Sequence, residues 1–282
     1  MKLSIITVNK NNAAGLEKTM QSVVTQTFID FEYIVIDGGS DDGSTEIIKK
    51  YADKVTFWVS EPDSGIYNGM NKGIKQAHGD FCLFLNSGDW LIEAETLRNV
   101  FDEIAGLDEA DVYYSDCITT DGSCLKKPDE CISTADLIVV NINHQNSITR
   151  RFLFLEHGLY NESLTITADW EFWLKEKWQY DSKFRHIKTN ISIYDNSGIS
   201  SRIDYSNQSN IALYNVFSDL AEPLIEWRNY RKSIYYTIIT ELGNTKLLKF
   251  ILRVYRFILR RAYKVFYSVF ERKGQSRVAS KN

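Results

Sequence analysis

Through the first 118 residues, short unbroken apolar runs alternate with stretches in which apolar residues recur every three or four positions. Residues 3–8 (LSIITV), 33–36 (YIVI), 56–59 (TFWV), 81–85 (FCLFL) and 112–114 (VYY) are each predicted to be strands. Between them Leu16, Met20, Val23 and Val24 share one helical face, a second helix follows Ser44, and a third begins near Ile66. A strand apolar at every position is covered on both faces. The pattern therefore predicts an α/β fold, a mostly parallel sheet flanked by helices. Ligands of such sheets bind beyond the carboxyl ends of the strands. Polar residues gather at those ends: Asn9, residues 37–42, 61–63 and 86–89.

Beyond residue 119 the pattern loosens. Asp121-Gly122 predicts a turn, and residues 144–150 an extended segment feeding a helix. Residues 168–178 predict a helix with Trp170, Trp173 and Leu174 facing inward, and 191–194 a strand followed by a polar loop over 196–201. Residues 204–243 read as helical, with Gly243-Asn244 as the stop. The chain is thus expected to divide into an α/β domain over 1–203 and a helical extension over 204–282.

Composition narrows the class. With 44% apolar and 25% charged residues the chain reads as globular, and 16 Tyr, 15 Phe and 6 Trp supply a large core. Cys82, Cys117, Cys124 and Cys131 form no CxxC pair and have no histidine at zinc-ligand spacing, and Cys82, in an apolar strand-like run, reads as a buried reduced thiol. One lysine precedes the first strand, without a signal-peptide pattern, and no run of about 18 apolar residues occurs. A cytoplasmic protein without a membrane-crossing helix is the expectation.

The net charge of −4 is unevenly placed. Residues 245–282 hold eleven Lys/Arg against Glu271 alone, a net +10, while the 22 basic and 36 acidic groups before them make −14. Lys246, Lys249, Arg253, Arg256, Arg260 and Lys264 recur every three or four positions among apolar and aromatic residues. Such a helix can lie in a membrane interface with its cations snorkelling toward anionic headgroups. Peripheral attachment to the inner face of the cytoplasmic membrane is expected. Packing of the same face on the body, or on a second copy as a homodimer, is the alternative. The acidic body argues against nucleic acid as the partner.

Three segments carry chemistry. In YIVIDGGSDDGST (33–45), Asp37 ends a strand, where its carboxylate can accept from a base or ribose, and Gly38 permits close backbone approach to a ligand. The helix that follows favours anions at its start. In SEPDSGIYNGMNK (60–72) and HGDFCLFLNSGD (78–89), Asp89 stands just past a buried strand, where it can hold Mg²⁺ or Mn²⁺ against a diphosphate. Asn71 and Lys72 can reach the same phosphates from a helix, and Asp63 lies in the loop before it. In the third segment Asp169 opens an aromatic helix. The plainer readings are caps and solvated turns: Asp42 or Ser44 on one helix, Asp89 on a helix over 93–104, Asp169 as a favourable helix-dipole charge, and His144-Gln145 as structural.

In their order and spacing these motifs resemble glycosyltransferase family 2, inverting enzymes with the GT-A fold, over about residues 1–200. SIITVNKN resembles the first strand, whose end, with Thr7 and Asn9, meets the nucleobase. IDGGSDDGST is similar to the (I/V)DDGSxDGT turn, which implies that Asp37 binds uracil or ribose. MNKGIKQAHGDFCLFLNSGD resembles RNxGxxxAxGxYxxFLDxDD. ADWEFWL is similar to the ED motif, which makes Asp169 the implied catalytic base. Together with HQ (His144, Gln145) and GISS, the set resembles a bacterial subgroup acting in surface-polysaccharide assembly. His144 and Gln145 are then placed on the acceptor or phosphate side.

Two positions depart from the pattern. The family's metal-binding DxD aligns with Asn86-Ser87-Gly88, leaving Asp89 as the acidic metal ligand, and the ED pair reads Ala168-Asp169. The resemblance implies transfer of a hexosyl or N-acetylhexosaminyl group from a nucleotide sugar, of UDP type, to a lipid-linked or polysaccharide acceptor, with Mn²⁺ or Mg²⁺ as cofactor. A nucleotidyltransferase shares the α/β layout but lacks its Gly-rich signature in VNKNNAAG. The eroded DxD leaves open an inactive, nucleotide-sugar-binding scaffold.

Overall fold

The computed structural model describes residues 1–128, 132–196, 198 and 206–230. The predicted apolar runs form β1 (Leu3–Asn9), β2 (Phe31–Asp37), β3 (Phe57–Ser60), β4 (Phe81–Phe84) and β6 (Val112–Tyr114). Between them lie α1 (Ala13–Val24), α2 (Ser44–Lys50), α3 (Ile66–Gln76), the short β5 (Trp90–Leu91) and α4 (Thr96–Ala105). The later chain adds β7 (Cys117–Thr119), β8 (Cys124–Leu125), α5 (Thr134–Val139), β9 (Ser147–Arg150), α6 (Arg151–His157), α7 (Ala168–Gln179), β10 (Phe184–His186), β11 (Ser192–Tyr194) and α8 (Ser206–Phe217).

The main sheet has seven strands in the order β10-β6-β9-β4-β1-β2-β3. β1 runs parallel to β2 and β4, β2 parallel to β3, and β10 parallel to β6, while β9 is antiparallel to both its neighbours. This is the mostly parallel sheet expected. A second sheet, β5-β11-β7-β8, forms from the loosely patterned region. The pairings Asn9↔Asp37 and Asp37↔Ser60 align three strand ends along one edge.

Each face of the sheet is covered by a helix with a distinct device. Leu3, Ile5, Tyr33 and Val35 pack with Leu16, Met20 and Val23 of α1 in one buried cluster. On α3, Gly69 and Gly73 meet β1. A Cβ at Gly69 would come within 2.6 Å of Val8 Cγ1, and one at Gly73 within 2.4 Å of Ile6 Cγ2. The missing side chains let this helix sit almost on the strand backbone, which carries its N-terminal turn to the site.

α2 starts after Gly43, whose φ of 95° lies in the left-handed region that favours glycine. Asp42 accepts from the backbone N–H of Ser44 (3.1 Å) and, with its other oxygen, from that of Ala13 (2.8 Å), so one carboxylate serves the starts of α2 and α1. The helix predicted over 93–104 begins at Thr96 after Glu95, and Asp89 does not cap it.

Met1–Ile225 form one compact unit, and the chain from Glu226 forms a second. Within the first unit α8 buries Ala212, Leu213, Val216 and Phe217. The helical run read over 204–243 is interrupted at Ser218, which takes φ 49° before a 3-10 turn over Ser218–Leu220. The basic stripe of residues 246–270 and the Gly243-Asn244 stop lie outside the described residues. Among the described residues, no helix is long and apolar enough to cross a membrane.

Candidate active site

The carboxyl ends of β1 to β4 carry the polar cluster. Asp37 is fully buried, and four donors surround it. Asn9 Nδ2 (2.7 Å) and Ser40 Oγ (2.6 Å) donate to Oδ1, while Ser40 N–H (2.9 Å) and Ser60 Oγ (2.6 Å) donate to Oδ2. Burial pushes the Asp37 carboxyl upward, but the bonds from Ser40, Ser60 and Asn9 outweigh it and hold it below its ordinary range. Asp37 is therefore ionised and organises the whole turn. Lys10 Nζ fastens the turn from outside, donating to the carbonyls of Gly38 and Gly39 (2.8 Å each). Gly38 lies so near Asp63 that a Cβ would stand 2.6 Å from its Oδ2. These two predicted residues are thus neighbours.

The turn Asn86-Ser87-Gly88-Asp89 follows β4. Thr19 of α1 anchors it: its Oγ1 contacts the carbonyls of Asp89 (2.6 Å) and Asn86 (3.3 Å) and accepts from Gly88 N–H (3.0 Å). Asp89 is 6% exposed and accepts the backbone N–H of Asp195 at 2.8 Å. Burial pushes its carboxyl up to about 7, only partly opposed by the Asp195 N–H and by His144. Gly88, at φ 107°, stands where the family's second DxD acid would be, and a Cβ there would come within 2.9 Å of Asp195 Oδ2. The carboxylate of Asp195, at the end of β11, thus lies beside the place of the missing acid. Among the described residues no three His, Cys, Asp or Glu side chains group as a ready-made metal cage.

Asp169 enters in the first turn of α7 and is 4% exposed. Its Oδ1 accepts Trp170 N–H (2.8 Å) and lies 3.1 Å from Tyr67 Oη, and its Oδ2 lies 3.1 Å from His144 Nδ1. His144 Nε2 is 2.9 Å from Asn86 Nδ2. Tyr67 Oη also contacts the Ile166 carbonyl at 2.6 Å. Burial, and then the negative charge of Asp169, push the Tyr67 phenol well above its ordinary range, so it stays a donor. Asp169, His144 and Asn86, from three separate segments, form one continuous line.

Several buried polar atoms at this edge have no protein hydrogen-bond partner: Asn9 Oδ1, Asn86 Oδ1, Thr167 Oγ1 and both ends of the Gln145 amide. An unmet buried polar group costs about 1–3 kcal/mol. Water or a polar ligand would lift that cost.

Other predicted residues are bonded into the scaffold. Thr7 Oγ1 contacts the Leu85 carbonyl (2.8 Å) and Tyr33 Oη (3.0 Å). Asn71 is buried, donating to the Tyr160 carbonyl and Glu162 Oε1 (2.9 Å each) and accepting Tyr160 N–H (3.1 Å). Lys72 pairs with Glu61 at 2.7 Å and donates to the Pro62 carbonyl. Sequence reasoning missed Lys10, Thr19, Ser40, Ser60, Tyr67 and Asp195. Lys10, Ser40, Ser60 and Tyr67 stand inside the quoted motifs, which is the signal that marks them. Thr19 and Asp195 carry no local signal.

The Glycosyl transferase family 2 sequence model matches residues 4–124. A Mycobacterium bovis (BCG) protein, "PGL/p-HBAD biosynthesis glycosyltransferase", is 30% identical over 226 residues, covering 79% of this chain and 80% of its own. Staphylococcus aureus TarS (residues 1–349), solved in complex with UDP-GlcNAc, superposes with a TM-score of 0.67 at 18% identity, over 88% of this chain and 78% of that one. A mannosyltransferase from Pyrobaculum calidifontis, solved with GDP-Man and Mn²⁺, gives a TM-score of 0.60 at 11% identity, over 94% and 82%. The fold is that of GT-A glycosyltransferases. A strand-end Asp37 turn, a helix-initiating Asp169 and relatives matched over most of both chains agree: the chain belongs to glycosyl transferase family 2 and is a glycosyltransferase.

Proposed function

We propose that this glycosyltransferase moves a hexosyl or N-acetylhexosaminyl group from a UDP-sugar to a hydroxyl of a lipid-linked or polysaccharide acceptor, with inversion at the anomeric carbon. The observation that carries the reading is Asp169. Its carboxylate is buried and oriented at both oxygens, on the edge of the sheet where Asp37 organises its turn. Such a group is suited to take the acceptor's proton as that oxygen attacks opposite the departing nucleotide. Asp37, Asn9 and Gly38, with Asp63 beside them, form the nucleoside end. The complexes of TarS with UDP and UDP-GlcNAc support a uridine donor on this fold.

A divalent cation fits the donor set. Mg²⁺ and Mn²⁺ need only one or two protein carboxylates when phosphates and water complete the shell. The orphaned Asn86 Oδ1, the buried Asp89 and the Asp195 carboxylate beside Gly88 supply oxygens of that kind. Bound there, the ion would neutralise charge on the leaving diphosphate. The Mn²⁺ complex of the Pyrobaculum enzyme supports this reading. Residues 1–203 supply the catalytic part in this reading. Residues 245–282 bring it to an anionic membrane at the cytoplasmic face, supported by their net +10.

The test is Asp169→Asn, which preserves shape and removes basicity. UDP binding should survive in calorimetry while sugar transfer falls by about 10²–10⁴-fold, the usual contribution of a general base. Turnover near wild type would reduce Asp169 to a helix-start charge.

A further inference from the structure

Resting on the reading of Asp169 as base, we propose that His144 is its positioning residue: it fixes the carboxylate through Nδ1 and ties it through Nε2 to Asn86 at the diphosphate end. An ionised carboxylate only accepts hydrogen bonds, so the 3.1 Å contact requires the proton on His144 Nδ1. The Asn86 amide nitrogen, 2.9 Å from Nε2, is a donor and leaves Nε2 as acceptor. The two contacts select the same tautomer, with Nδ1–H directed at Asp169 Oδ2.

The opposite oxygen, Oδ1, is held by Trp170 N–H and approached by Tyr67 Oη. Oδ2 would therefore be free to rotate out of place without His144. With one lone pair of Oδ2 engaged by Nδ1–H, the other remains for the acceptor's hydroxyl proton.

The histidine is itself anchored before any substrate arrives. Lys127, a buried lysine, donates to the Asn141 carbonyl (2.7 Å) and Asn143 Oδ1 (2.8 Å). Trp173 Nε1 of α7 donates to the Ile142 carbonyl at 3.1 Å, so the helix that presents Asp169 also clamps the segment that presents His144. On the far side, Ser192 Oγ donates to the Gln145 carbonyl (2.8 Å), and Asn146 is held by the backbone N–H groups of Ser115 (3.0 Å) and Ser192 (3.1 Å). A ring carried on a segment fixed at the three residues before it, 141–143, and the two after it, 145 and 146, reorganises little during reaction. The residue class is that of an orienting group, which acts on rate through the base rather than on donor affinity.

Three variants of the full-length chain separate the contacts. In His144→Asn the amide nitrogen takes the place of Nδ1 and keeps the bond to Asp169. In His144→Gln the amide oxygen takes the place of Nε2 as the acceptor from Asn86 and keeps only that side. His144→Ala loses both. The readout is UDP release, with water as acceptor, from whichever UDP-hexose or UDP-N-acetylhexosamine the wild type turns over fastest, alongside UDP affinity by calorimetry. We expect kcat to fall about 10–100-fold in the Ala and Gln variants, the scale for a misplaced reacting group. KM and UDP affinity should stay within about twofold, and His144→Asn should recover most of the rate.

Equal loss in the Asn and Gln variants, unaltered kcat in all three, or a raised donor KM with kcat unchanged would each overturn the proposal. The last of these would place His144 on the phosphate side instead. Should His144→Ala fail to fold, the Asn and Gln pair still decides, and failure of both to fold makes the residue structural and overturns it too. Asp169→Asn run in parallel separates the levels: near wild-type turnover there defeats the base assignment itself, whereas its collapse beside active His144 variants defeats only the positioning role.

Discussion

Replacing Asp89 by Asn should change how the protein's stability depends on pH in the absence of divalent metal. Burial raises the Asp89 carboxyl from its ordinary 3.8 to about 7 in the folded state. Between those values the native state holds a proton that the unfolded chain has released, so wild-type stability falls as pH rises through that window. At about 1.4 kcal/mol per pH unit the accumulated cost by pH 8 is roughly 4 kcal/mol. The amide of Asp89→Asn can still accept the Asp195 N–H but carries no charge to bury, so the variant escapes this cost. Urea or thermal unfolding in EDTA across pH 4.5–8.5 is the assay. The variant should gain on wild type with rising pH, by about 2–4 °C of Tm for each kcal/mol. Adding Mn²⁺ at pH 8 should restore the wild type and not the variant, because a cation can take the proton's place on Asp89. A wild-type–variant difference independent of pH would mean that this carboxylate ionises normally, and the reasoning from its burial would be refuted.

Asp37→Ala strands the donors of Asn9, Ser40 and Ser60, and UDP affinity should drop about 10–100-fold in calorimetry, the equivalent of about 1–3 kcal/mol; an unchanged affinity would remove Asp37 from the nucleoside end. Gly73→Ala places a Cβ 2.4 Å from Ile6 Cγ2 and should destabilise the protein by about 1–3 kcal/mol of overpacking, read from urea midpoints, whereas a neutral result would mean that α3 can lift off β1 freely. Removing residues 245–282 should release the protein from anionic liposomes in flotation while leaving UDP binding intact; full-length protein that does not float would assign the basic stripe to protein packing instead.

The local pattern was sufficient for the elements whose signal is short-range. The runs at 3–8, 33–36, 56–59, 81–85 and 112–114 became strands within a residue or two, because unbroken apolar β-formers have few other ways to leave water. Asp37 and Asp169 were legible for a similar reason: each lies beside an element boundary, and its motif states its place on the strand or helix. Partnerships were not legible. Nothing local announces that β9 inserts antiparallel between β4 and β6, since strand order is set by which faces pack together across the whole chain. The same non-local closure joined Asn71 to Tyr160 and Glu162, and Thr7 to the Leu85 carbonyl, because a buried polar group must bond to whatever the fold brings within reach. It also brought Asp195 beside Gly88, 107 positions earlier in the chain, and set His144 between Asn86 and Asp169, 58 and 25 positions away. Residue type and spacing determined by themselves which chemistry this protein carries. Only the tertiary structure decided which groups face one another, because contact at about 3 Å depends on the packing of elements whose separation along the chain has no fixed relation to their separation in space.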